Sequence, residues 1–115
     1  MRESTLWLLQ ISTAIVLVVA VTVHLASFTS FVGPGRTEGL EFPVVRSRVV
    51  NPLYTVMYIL FLGAGFYHGI YGVRTILSEL LPNRSLRRFL VAILVVAGLA
   101  FFGWGTYTVL VALTL

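Results

Sequence analysis

The sequence predicts an all-α integral membrane protein of three transmembrane helices, a single membrane-anchor domain spanning residues 1–115. The first observation is compositional. Of 115 residues, 58% are hydrophobic and 10% charged, where soluble domains carry about 25% charged residues. The second is the spacing of those charges. The bases are Arg2, Arg36, Arg46, Arg48, Arg74, Arg84, Arg87 and Arg88, and the acids are Glu3, Glu38, Glu41 and Glu79. Between them lie uncharged runs at 4–35, 49–73 and 89–115. Each exceeds the roughly 20 residues an α-helix needs to cross ~30 Å of hydrocarbon.

The first helix is expected over about 6–31. Its apolar run is too long for a signal-peptide core and has no small-residue cleavage site, so it reads as a span. Gly33-Pro34-Gly35 should end it. Residues 36–50, with three arginines, two glutamates and Pro43, read as an interfacial loop with at most one short turn. Asn51-Pro52 then supplies an N-cap and a first-turn proline for a second helix over about 52–81. Pro82-Asn83 breaks the chain ahead of a third helix over about 85–115.

The net charge of +4 does not indicate nucleic acid, because the arginines flank apolar runs, where loop arginines of membrane proteins sit. Arg2, Arg84, Arg87 and Arg88, with Arg74 nearby, lie at one end of the spans; Arg36, Arg46 and Arg48 lie at the other. The positive-inside rule then puts the N-terminus in the cytoplasm and the C-terminus outside, in a multi-pass protein of the cell inner (plasma) membrane. Cysteine is absent, which excludes thiolate metal sites and disulfides. Gly65-x-x-x-Gly69 and the set Gly98, Gly103, Gly105 offer surfaces for close helix approach. So small a bundle calls for protein partners within the bilayer.

Ionisable groups at membrane depth are costly and usually functional. His68 lies near the middle of the second span. Within about 60° of it on a helical wheel are Phe61, Ala64, Gly65, Tyr71, Gly72, Thr75 and Glu79. The small residues leave a hollow beside an imidazole, which suits a haem iron and its flat macrocycle. The plain alternative is a histidine hydrogen-bonded to a neighbouring helix. His24, on the first helix, lies ~9 Å outward of the midplane by residue counting and His68 ~5 Å inward. One iron holds its axial nitrogens about 4 Å apart, so the two histidines do not share a haem, and an opposite ligand for His68 should come from another chain. His24 is open to three roles: ligand of a second haem, partner of a propionate, or helix–helix hydrogen bonding. Arg74 projects about 120° from His68 and is expected to snorkel to the interface or meet a partner subunit. Glu79 shares the His68 face and either delivers protons to a quinone or pairs with Arg84 or a partner.

The stretch FYHGIYGVRTILSEL, Phe66 to Leu80, resembles the second-helix signature of succinate dehydrogenase and fumarate reductase anchor subunits: a histidine, a glycine four residues later, a basic residue, then an acid near the helix end. Asn51-Pro52-Leu53, the early LLQISTAIVL and the His24-Leu25 pair are similar to the same family. Of the family's two anchor types, the chain resembles the one without an N-terminal extension more than the one whose extension carries serine and arginine quinone contacts. The resemblance implies that His68 is an axial ligand of haem b, with Gly65, Gly72 and Tyr71 about it. It implies a quinone, menaquinone or ubiquinone, near Gln10, Ser12, Glu79 and Arg74. Where the family has a tyrosine beside the acid, this chain has Leu80, so that quinone contact does not carry over. Implied partners are a flavoprotein subunit, an iron–sulfur subunit docking on Pro82–Arg88, and a second membrane anchor of the extended type. Electrons from succinate would pass through those partners to quinone, and the chain alone would not be an enzyme. Two other readings are a haem-free accessory subunit of another respiratory complex and a small transporter or channel protomer with His68 on a proton path. The second is disfavoured by the lack of a polar stripe along any span.

Overall fold

The computed structural model of the chain describes residues 2–27 and 38–115. Three helices are long and apolar enough to cross a membrane: α1 (Glu3–Ala26), α3 (Pro52–Leu80) and α4 (Arg84–Ala112). A short helix, α2 (Phe42–Val49), follows a 3-10 turn at Glu38–Leu40. The 24 residues of α1 span about 36 Å, and the 29 residues each of α3 and α4 about 44 Å. Both exceed the ~30 Å hydrocarbon layer, so the long helices tilt or project into the interface.

Their ends follow local chemistry. The Asn51 side chain accepts the Leu53 amide at 3.0 Å, with Pro52 in the first turn, where its missing N–H costs nothing. Asn83 accepts the amides of Ser85 and Leu86 at 3.0 and 3.1 Å. Only Leu81–Asn83 therefore separate α3 from α4, which run antiparallel. The first helix begins at Glu3, earlier than the apolar run suggests, because an acid in the first turn suits the positive end of the helix dipole. Its expected continuation to Phe31 and the Gly33-Pro34-Gly35 stop lie outside the described residues.

The segment expected as a loop is partly helical. Pro43 opens α2 rather than breaking it, since it falls in the first turn. Arg48 on α2 is buried, 8% exposed. It donates to the Gly39 carbonyl at 3.1 Å and to the Ser27 carbonyl, beyond the end of α1, at 2.7 Å. Ser27 also shares a hydrogen bond with the Tyr54 hydroxyl at 3.0 Å. Together these tie α2 and the start of α3 to the end of α1.

The central element is α3. Both α1 and α4 pack along it, and they do not pack on each other. Among the described residues the buried apolar positions are Ala20 and Ala64 alone, so the helices depend on lipid or protein around them rather than on a core of their own. Of the glycines expected to allow close approach, Gly98 and Gly105 do so. A Cβ at Gly98 would collide with Ile70 Cδ1, and one at Gly105 would fall 2.9 Å from Leu62 Cδ1. Gly69 and Gly103 instead face open space, with nothing within 4 Å.

Candidate functional site

His68 sits on the side of α3 that meets α1, level with Gln10. Its Nδ1 lies 3.3 Å from the Gln10 carbonyl oxygen, and Gln10 Nε2 donates to the His68 carbonyl at 3.3 Å. A carbonyl can only accept, so Nδ1 is the donor in this contact. Metal-bound histidines commonly have their other ring nitrogen held by a backbone carbonyl in this way. Gln10 Oε1 is buried with no hydrogen-bonding group against it, so the polar demand of this pocket is not fully met by the chain itself.

The small residues around His68 divide between two roles. Gly65 faces Leu17 of α1 at 3.8 Å and Gly72 faces Gln10 at 3.9 Å, both ordinary van der Waals distances for an added Cβ. The hollow expected directly around the imidazole is thus occupied by α1. The open surface lies to one side of it. Gly69, about 100° round the helix from His68, is exposed. One turn above, Phe61, Leu62, Gly65 and Phe66 line a groove of about 290 Å³. A bare glycine edge of α3 therefore runs beside the half-buried His68. Among the described residues no three histidines or carboxylates cluster. The donor set is a single imidazole, which is what one face of a haem iron takes from a polypeptide.

Tyr71 does not join that edge. It stacks on Tyr67 at 6.0 Å and 16°, and the Arg74 guanidinium lies 5.6 Å from its ring centre. The Tyr67 hydroxyl donates to the Leu6 carbonyl at 2.9 Å. Arg74, expected to snorkel or to meet a partner, is held within the chain: its Nη2 lies 2.9 Å from Glu3 Oε1, the one ion pair among the described residues. Opposite charges at the start of α1 and near the end of α3 were the signal for this contact, legible once the two helices are known to be antiparallel neighbours.

His24 packs its ring edge-on to Tyr58 at 5.9 Å and against Phe61 at 5.8 Å, both on α3. It is fourteen positions beyond Gln10, about 21 Å along α1, which keeps it away from His68. The four residues expected near a quinone do not converge. Gln10 lies under His68, whereas Ser12 is exposed and about 200° round α1 from it. Arg74 is engaged by Glu3. Glu79 is exposed at the end of α3, and among the described residues it makes no ion pair with Arg84.

Three apolar spans, a central helix with its imidazole against a carbonyl, and almost no core among the described residues define a multi-pass membrane protein. The chain belongs to the family described as succinate dehydrogenase/fumarate reductase transmembrane subunit, which matches residues 2–113. No curated protein and no solved structure matches it. Membership places the chain in a succinate dehydrogenase or fumarate reductase complex together with other subunits.

Proposed function

We propose that the chain is the haem b-binding anchor subunit of a succinate:quinone oxidoreductase, with His68 Nε2 as one axial ligand. The observation that carries this reading is the contact between His68 Nδ1 and the Gln10 carbonyl, beside the open glycine edge of α3. The carbonyl orients the ring, and Gly69 leaves the surface beside it bare enough for a planar group. When bound, the haem supplies one-electron redox chemistry. The haem's remaining protein contacts would come from a second membrane anchor, of the family's extended type. His24 is assigned to aromatic packing with Tyr58 and Phe61 rather than to a second haem.

The remaining partners are a flavoprotein and an iron–sulfur subunit, the latter docking at the Pro82–Arg84 turn. The N-terminus and this turn lie in the cytoplasm, in a plasma membrane. Quinone binds at that end, with the exposed Glu79 as this chain's contribution and the partners supplying the rest. Gln10 and Ser12 are not assigned to it, because they lie on different sides of α1.

The test is the absorption and paramagnetic resonance spectrum of the purified complex. A low-spin bis-imidazole signal that disappears in His68→Ala is expected. A complex whose low-spin signal survives that substitution rules out the ligand.

A further inference from the structure

The edge of α3 opposite the glycines carries a second feature, independent of the haem reading. There α1 and α4 stand apart, and the gap forms a cleft in two parts. At the helix ends it has a polar mouth of about 720 Å³, lined by Glu3, Arg74, Thr75, Ser78, Arg87 and Arg88. Below, it continues as an apolar groove of about 410 Å³ bordered by Leu6, Tyr67, Ile70, Val95, Leu99 and Phe102. Tyr71, Arg74 and Val91 belong to both parts, so the two are continuous.

We propose that this cleft is a binding site for one anionic phospholipid, with its phosphate at Arg87 and Arg88 and an acyl chain in the groove. Charge decides the headgroup. The mouth holds three guanidiniums against one carboxylate, and that carboxylate is taken by Arg74 at 2.9 Å. The Arg87 Nη1 donates to the Leu81 carbonyl at 3.1 Å, which leaves its charge uncompensated. The hydroxyls of Thr75 and Ser78 already donate to the Tyr71 and Thr75 carbonyls. A neutral quinone ring would leave this charge unanswered, whereas a phosphate with no cation of its own answers it by charge-assisted hydrogen bonds. Length decides the tail. From Arg88 to Phe102 is fourteen residues of α4, about 21 Å, enough for an acyl chain crossing one leaflet, half of the ~30 Å core.

The test uses the purified, delipidated complex, titrated with phosphatidylglycerol, phosphatidylcholine or glycerol phosphate and followed by native mass spectrometry. Phosphatidylglycerol should be retained over phosphatidylcholine, and Arg87→Gln with Arg88→Gln should weaken it about fivefold per arginine removed. Val95→Trp, which fills the groove and spares the arginines, should weaken phosphatidylglycerol while leaving glycerol phosphate unaffected. Equal retention of the two lipids overturns the proposal. So does a double variant that binds as the parent does, or a quinone found in the cleft in place of lipid.

Discussion

His68 and Gln10 are bonded in both directions: Nδ1 of the histidine to the glutamine carbonyl, and Nε2 of the glutamine to the histidine carbonyl, each at 3.3 Å. The first bond uses the backbone of position 10 and the second its side chain, so mutation can separate them. Gln10→Leu removes the side-chain donor and its buried oxygen but leaves the carbonyl under the imidazole. Its stability cost should stay near the ~0.6 kcal/mol typical of hydrogen bonds between membrane helices. The low-spin signal should persist. Loss of haem in this variant, at normal assembly, would mean that the side chain rather than the backbone holds the ring.

His24→Phe should leave the haem spectrum unchanged. The ring sits against Tyr58 and Phe61, and phenylalanine preserves that aromatic contact. A halved haem-to-protein ratio would restore His24 as ligand of a second haem.

Arg48 should be far less replaceable than Arg74. It is buried and serves two backbone carbonyls; losing it leaves both acceptors unsatisfied, at about 1–3 kcal/mol each. Arg48→Ala should therefore lower the thermal midpoint of the complex markedly. The Glu3–Arg74 pair has side chains 72% and 40% exposed, so Glu3→Gln should barely move the thermal midpoint, and less still at high salt. Equal effects from the two substitutions would contradict the clamp at Arg48.

Gly98 and Gly103 give an internal contrast on α4. Leucine at 98 drives side-chain atoms into Ile70, whereas position 103 is open. Gly98→Leu should destabilise by about 1–3 kcal/mol, with partial rescue by Ile70→Ala. Gly103→Leu should be close to neutral in detergent thermal melts. If both glycines tolerate leucine equally, α3 and α4 do not meet at Ile70.

The three spans, the Asn51 cap and the membrane setting were determined by the sequence, because hydrocarbon thickness, uncharged run length and the Asn51-Pro52 pair are local quantities. So was the candidacy of His68, since an imidazole at membrane depth is conspicuous on its own. The segment 38–50 was not legible, because Pro43 breaks or opens a helix according to where the turn begins, and Arg48 gave no sign that its acceptors were backbone carbonyls. Tertiary structure alone decided that α1 packs over Gly65 and Gly72 and that Glu3 holds Arg74. It also set two opposite open edges on α3, one of glycines and one of tyrosine and arginine. Those outcomes depend on how neighbouring helices are rotated about their axes, and rotation is fixed by side chains meeting across the interface, which no single helix encodes.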